Sequence, residues 1–114
     1  MRIQNTTKGV VLVDSVDVAD TNAKRRTGLL KHTSLLPGQG LLIVPCEGIH
    51  TWGMKFDIDV LFLSKKLKIV GIRKNMGRRR IAFCWWAHSV LELPAGMLDT
   101  TGTQKGDQLR FDKS

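Results

Sequence analysis

The segment from residue 49 to residue 63 holds the densest set of side chains that could do chemistry. It carries His50, Trp52 and Met54 at alternating positions and Asp59 inside a mostly apolar run. If residues 50–54 are extended, these three alternating side chains lie on one face, because successive side chains of a strand point to opposite sides. Buried His and Trp rings need partners for their N–H groups. We therefore predict a half-buried ligand-binding cleft lined by His50, Trp52, Met54, Asp59 and Glu92.

The same residues allow other interpretations. An aromatic residue and a methionine at positions 52 and 54 are also typical of ordinary core. Asp57 and Asp59 share a face if extended, which would allow acid–base catalysis or binding of a hard cation, although Asp59 can equally anchor a turn. No segment matches a known reaction signature or a glycine-rich phosphate-binding loop. We predict a binding or accessory module without a cofactor, and an enzyme that uses the His50 region is an alternative.

Two Cys-x-x-x-His pairs raise the question of zinc. Cys46 and His50 form one pair, and Cys84 and His88 form the other, which together would supply a Cys₂His₂ site. In a strand, however, residues four apart are about 13 Å from each other, at about 3.3 Å per residue. We therefore expect no metal and interpret both cysteines as small, reduced, buried residues. Activation of Cys46 by either histidine is the only nucleophilic arrangement that the sequence offers.

The net charge of +8 is concentrated in residues 65–80, which contain eight basic residues and no acidic one. Such a segment attracts anionic partners, and nucleic acid or another polyanion is the second hypothesis for function. The plainer interpretation, which we prefer, is that these basic residues keep a solvated hairpin soluble and protect the edge of a sheet. The eight residues are Lys65, Lys66, Lys68, Arg73, Lys74, Arg78, Arg79 and Arg80.

Length and composition point to one globular domain spanning residues 1–114. The hydrophobic fraction of 42% and charged fraction of 25% are ordinary for a folded protein. The longest apolar runs are far shorter than the ~20 residues that a membrane-spanning helix needs. Residues 1–8 contain no apolar segment after the charged Arg2, so a secretory signal is not predicted. We expect a soluble, cytoplasmic protein, and the sequence leaves the oligomeric state open.

The predicted elements are mainly strands. Residues 10–18 read as a first strand with a turn at 14–15, and Asp20 or Thr21 can cap a helix that ends near Gly28. Pro94 could begin a single helical turn over residues 94–99. About seven short strands separated by turns predict a mainly β (α+β) fold, a compact sandwich or squashed barrel. After the first strand, they are placed at residues 41–44, 50–54, 60–63, 67–73, 82–86, 90–93 and 108–111.

Several motifs in a fixed order resemble one known family. They are Gly28-Leu29-Leu30, residues 38–42, Pro45-Cys46, residues 50–56, residues 58–63, residues 90–96 and Gly106-Asp107. In this order the chain resembles the conserved bacterial and archaeal family known as domain of unknown function 192. Two positions depart from the family pattern: His32 replaces a common Arg, and Asp57 replaces a common Pro. The resemblance implies a compact, β-rich fold and no particular activity.

Overall fold

Ten strands and two short helices make up residues 1–112, the part of the chain that the computed structural model describes. The mainly β class with two helices is confirmed, with more strands than the seven expected. None of the helices in this part of the chain is long and apolar enough to cross a membrane. The strands are β1 (Arg2–Asn5), β2 (Val10–Val13), β3 (Ser15–Ala19), β4 (Gln39–Ile43), β5 (Gly48–His50), β6 (Ile58–Leu63), β7 (Ile69–Met76), β8 (Ile81–Phe83), β9 (Ser89–Pro94) and β10 (Leu109–Asp112); the helices are α1 (Asn22–Thr27) and α2 (Met97–Thr101).

The strands form three sheets. The largest has the order β3-β4-β9-β6-β7, with β3 parallel to β4 and the other neighbours antiparallel. A second sheet has the order β10-β1-β2, and β5 pairs with β8 in a two-stranded ribbon. All residues of β6 and β9 are buried, as expected for central strands covered on both faces. This double coverage explains why their sequences are almost continuously apolar.

Each face of the five-stranded sheet has its own hydrophobic core. On one face, Leu61 and Leu91 pack with residues of the three-stranded sheet, such as Ile3. On the other face, Phe62 and Val90 pack with residues of the connecting segments and of the β5–β8 ribbon. Alternate residues of β9 therefore point to opposite cores, and the second face is the one that carries the cleft described below.

The amino-terminal strands differ from the sequence-based expectation. Residues 10–18 do not form one bent strand: β2 belongs to the three-stranded sheet and β3 to the five-stranded sheet. Strand β1 was not predicted, because it has a single large apolar residue, Ile3. Its other fully buried residue is Asn5, whose amide donates to Thr103 Oγ1 and to Asp107 Oδ2 at 3.1 and 3.0 Å. A buried polar network therefore holds this strand, and hydropathy does not reveal such a network.

Three further boundaries were predicted wrongly. The strand expected over residues 50–54 ends at His50, because Gly53 has φ +81° in a turn closed by the Met54 N–H bond to the Thr51 carbonyl. The strand expected over residues 82–86 ends in a turn closed by the Ala87 N–H bond to the Cys84 carbonyl. Pro94 does not begin a helical turn, since it is the last residue of β9 and α2 begins three residues later.

Candidate functional site

A cleft of about 660 Å³ opens on the second face of the five-stranded sheet. One wall comes from α1 and the residues after it, and the opposite wall comes from the loop after β4 and from β5. The walls carry apolar side chains, among them Leu30, Ile49 and Met54, and the rim carries polar ones. This volume lies within the range of about 300–1,000 Å³ that is typical of sites for small organic ligands.

Glu92 forms the acidic floor of this cleft. It lies in the middle of β9, between Leu41 of β4 and Val60 of β6, and only 4% of the residue is exposed. Burial raises the pKa of its carboxyl to about 7, and no partner in residues 1–112 offsets this desolvation. A buried carboxyl usually has hydrogen-bond partners, because an unpaired one is costly. Glu92 therefore presents an unused acceptor to the cleft.

Arg25 and Cys46 line the same cleft as this carboxyl. The Arg25 guanidinium donates to the Val44 carbonyl at 3.1 Å and also bonds Asn22 Oδ1, which fixes α1 against the loop after β4. The Cys46 thiol donates to the Gly48 carbonyl at 3.0 Å. Burial raises the pKa of this thiol, and the Glu92 charge raises it further, although Arg25 acts in the opposite direction. The thiol therefore stays protonated near neutral pH, and the environment does not activate it as a nucleophile.

Gly28 keeps the floor of the cleft open. The residue ends α1 with φ +47°, a conformation that L side chains rarely adopt. A Cβ atom at this position would lie 4.0 Å from Glu92 Oε1 and 3.8 Å from the Arg25 carbonyl oxygen. The glycine therefore serves the sharp exit from the helix and also leaves space beside the carboxyl.

The structure brings together three of the five residues predicted for the cleft. His50, Met54 and Glu92 line it. Trp52 does not line it and is 48% exposed, with its ring edge-on to that of His50 at a centroid distance of 6.1 Å. The sequence predicted that His50, Trp52 and Met54 share one face of an extended segment. The turn at residues 52–53 interrupts this segment and directs Trp52 away from the buried Met54.

Asp59, the fifth predicted residue, lies on the opposite face of the sheet. Its two carboxyl oxygens accept the N–H groups of Asn75 at 2.7 Å and Leu98 at 2.9 Å. Leu98 is in the first turn of α2, whose N-cap residue Gly96 has no side chain to bond the free N–H groups. Asp59 thus acts as a cap supplied by a neighbouring strand, in agreement with the turn-anchoring interpretation.

Sequence reasoning missed the contribution of α1 to the cleft. None of the helix residues is buried, and its last turn carries Lys24, Arg25 and Arg26. A short helix without an apolar face contributes little to core packing. The lack of an apolar face was therefore the signal in the sequence that the side chains of α1 have another role. The sequence marked Gly28 only as the end of the helix and as part of the family motif, and it marked Leu30 only through that motif; both residues line the cleft.

The four weak metal candidates do not form a cluster. The Cys46 N–H donates to the His88 carbonyl at 2.9 Å, so the two Cys-x-x-x-His segments are neighbours through their backbones. No group of three or more His, Cys, Asp or Glu side chains in residues 1–112 is arranged to hold a metal ion. Cys84 is buried, Cys46 is half-buried, and both are free thiols.

The eight basic residues of segment 65–80 are all exposed. Three lie at the turn between β6 and β7, two lie on β7, and the last three lie in the loop before β8. Strand β7 is an edge strand of eight residues, so the two ends of the segment are separated by roughly 23 Å. The segment is a ridge along a sheet edge and not one compact patch, and its anionic partner stays a hypothesis.

Sequence comparison identifies relatives over nearly the whole chain. Residues 3–111 match the model of the family described as DUF192, "Uncharacterized ACR". A UPF0127 protein of Thermococcus sibiricus is 30% identical over 116 residues, which covers 95% of this chain and 73% of that protein. A UPF0127 protein of Thermococcus gammatolerans is also 30% identical and covers 96% of this chain and 74% of its own length.

Two solved structures share the fold. A protein of unknown function from Novosphingobium aromaticivorans superposes with a TM-score of 0.86 at 19% identity, covering 97% of this chain and 84% of that one. A putative transcription regulator from Sinorhizobium meliloti superposes with a TM-score of 0.84 at 24% identity, covering 96% and 89%. At these identities the similarity establishes the fold alone.

Proposed function

We propose that this chain, which belongs to the DUF192 family, is a small-molecule-binding module whose ligand donates a hydrogen bond to Glu92. The observation that carries the proposal is the almost fully buried carboxyl at the floor of an open cleft, where no partner among residues 1–112 offsets its desolvation. A buried acceptor without a donor costs free energy, and a ligand that supplies the donor recovers this cost.

The walls of the cleft define the rest of the ligand. Leu30, Ile49 and Met54 offer apolar contact, so the ligand has an apolar body next to its donor. An amine nitrogen suits the ionised carboxylate best, since hydrogen bonds between charged groups are about twice as strong as neutral ones. The expected ligand class is a small amine with an aliphatic or aromatic body.

Benzylamine is a suitable probe because it combines an aromatic body with an N–H donor. We expect a titration followed by ¹H–¹⁵N NMR, at a pH above 7 so that Glu92 is ionised, to shift the amide signals of cleft residues such as Leu30 and Ile49. Benzyl methyl ether keeps the ring but has no donor, so it should bind more weakly. Replacement of Glu92 by Gln should weaken benzylamine binding by about tenfold or more, which corresponds to about 1.4 kcal/mol.

Asp57→Asn is the matched control for this substitution. Asp57 is an exposed carboxylate outside the cleft, and its change to the amide removes the same charge. The control should bind benzylamine as the wild type does. Equal binding of amine and ether, or equal binding by the wild type and Glu92→Gln, would contradict the proposal.

Acid–base catalysis is the second candidate function. The sequence-based alternative was an enzyme that uses the His50 region, whereas the candidate proposed here uses Glu92 as its central residue. A carboxyl whose pKa is about 7 can both donate and accept a proton near neutral pH, and perturbed carboxyls in clefts are typical of catalytic sites. His50 lies at the rim of the same cleft. Accelerated solvent deuterium exchange at the carbon next to the carbonyl of an amino ketone, lost in Glu92→Gln, would distinguish this function from binding alone.

A further inference from the structure

Exposed apolar and aromatic side chains lie along the outer face of the β5–β8 ribbon and in the turns at its ends. We call this set the aromatic stripe, and it consists of Trp52, His50, Ile81, Phe83, Trp85 and Trp86. Its members follow one another: Trp52 contacts His50, His50 pairs with Ile81 across the ribbon, and Phe83 meets Trp85 at a centroid distance of 5.8 Å. Large contiguous apolar patches on a folded surface mark interaction sites.

The alternation of side chains along β8 and the two residues after it shows that this exposure is built into the fold. Ala82 and Cys84 point into the core, whereas Ile81, Phe83 and Trp85 point outward and are 70%, 52% and 71% exposed. An outer face of a strand normally carries polar residues. The apolar outer face is therefore a property of this ribbon that core packing does not require.

The two outermost tryptophans are held at a tight turn. Trp85 and Trp86 are the central residues of the turn closed by the Ala87 N–H bond to the Cys84 carbonyl at 2.9 Å. The Cys84 N–H also donates to the Glu47 carbonyl at 2.7 Å, which ties the turn to the start of β5. The rings project from a fixed backbone, and Trp86 is 63% exposed.

A cluster of three arginines adjoins the stripe. Arg78, Arg79 and Arg80 directly precede Ile81, and all three are exposed. Thr51 holds this loop next to β5: its N–H donates to the Arg80 carbonyl at 2.9 Å, and its hydroxyl accepts the Arg80 N–H at 2.8 Å. In residues 1–112, none of these arginines forms an ion pair within 4.0 Å, so their charge is available to a partner.

We propose that the aromatic stripe and the arginine cluster dock this protein on the surface of an anionic phospholipid bilayer. Tryptophan rings favour the interfacial region of a membrane, and neighbouring arginines attract anionic headgroups. Stacked nucleic-acid bases fit less well, because neighbouring rings are inclined by 54° to 81° and offer no series of parallel faces. Ile81 has no ring for a base to stack on, but it can enter the acyl boundary.

Intrinsic fluorescence tests the proposal directly, because all three tryptophans of the chain lie on the stripe. The full chain is mixed with vesicles of equimolar phosphatidylglycerol and phosphatidylcholine, and with vesicles of phosphatidylcholine alone. We expect a blue shift with the anionic vesicles only, and quenching when the acyl chains carry bromine. Added salt should weaken the binding. Quenching by the brominated chains separates insertion of the stripe from adsorption by charge.

Matched variants separate the two parts of the surface. Trp85→Ala should reduce the affinity for anionic vesicles by about tenfold, from the loss of buried apolar area. Leu36→Ala removes another exposed apolar side chain, far from the stripe in sequence, and should leave binding unchanged. Changing both Arg79 and Arg80 to Ala should reduce affinity by roughly fivefold per charge, whereas the same change at Lys65 and Lys66 should have a smaller effect. Co-sedimentation with the vesicles measures each affinity.

If nucleic acid or a second copy of the chain covers the aromatic stripe, the binding experiments give different results. Binding to single-stranded polyuridylate without vesicle binding would overturn the proposal in favour of nucleic acid. A dimer in sedimentation equilibrium that is lost in Trp85→Ala, again without vesicle binding, would assign the stripe to a second copy of the chain. Glu92→Gln should bind vesicles as the wild type does, because its carboxyl lies inside the cleft.

Discussion

The carboxyl of Glu92 is expected to make folding stability fall as pH rises. Burial raises its pKa from 4.5 to about 7, so the folded chain holds this proton more tightly than the unfolded chain does. Between these two pH values the folded state binds more protons, and the free energy of unfolding therefore decreases as pH increases. At about 1.4 kcal/mol per pKa unit, the loss is about 3 kcal/mol, a large share of the about 5–15 kcal/mol expected for a domain.

Urea denaturation at pH values across this window checks the prediction. Glu92→Gln keeps the shape of the side chain but cannot ionise, so its stability should be less dependent on pH. The wild type should lose about 3 kcal/mol relative to this variant between pH about 4.5 and just above 7. Asp57→Asn, which removes an exposed carboxylate, should follow the wild type.

Two outcomes would refute this reasoning. A constant difference between wild type and Glu92→Gln across the window would mean that the carboxyl is not desolvated in the folded protein. If the free energy of unfolding of the wild type instead increases relative to that of Glu92→Gln as pH rises, a cation pairs with Glu92. Either result would also remove the open acceptor on which the proposed ligand site depends. Conversely, benzylamine should restore part of the lost stability above pH 7, since a ligand that binds only the folded state stabilises it.

Three further substitutions test the surroundings of the site. Asp59→Ala should cost about 2–4 kcal/mol in urea denaturation without affecting benzylamine binding, because it removes the acceptor of the Asn75 and Leu98 N–H groups; weaker benzylamine binding with intact stability would assign Asp59 to the ligand instead. Trp52→Ala should cost about 1 kcal/mol or less, since the ring is about half exposed, and a loss above 3 kcal/mol would identify it as core. Cys46 should react slowly with iodoacetamide near neutral pH because burial and Glu92 raise its pKa, and Glu92→Gln should accelerate the reaction; no change in rate would show that the two groups do not interact.

The parts of the fold that were predicted correctly depend on local signals. The cap at Thr21 and the glycine at position 28 gave the bounds of α1, since each satisfies a backbone requirement within one or two turns. The apolar runs gave β4, β6 and β9 because these central strands are covered on both faces. Strand β1 was missed because its pairing relies on Asn5, whose partners are about a hundred residues away.

The candidate site was only partly predictable for the same reason. Glu92 and Met54 were expected to share a cleft with His50, and they do. The contribution of Arg25 could not be anticipated, because it depends on how α1 packs beside the loop after β4. Asp59 and Glu92 were assigned to one site, but they lie on opposite faces of the sheet, and only the strand register determines which side chain points to which face.

The sequence by itself determined the family, the mainly β class, the capped helix and the concentration of positive charge, because each follows from neighbouring residues or their order along the chain. The tertiary structure alone decided that Glu92 is a buried acceptor in a cleft with no partner in the described part of the chain, since desolvation depends on every element packed around it. It also decided that the three tryptophans are exposed and do not lie in the core. Burial is a property of the assembled sheets, so the sequence does not show whether a given aromatic residue is buried or exposed.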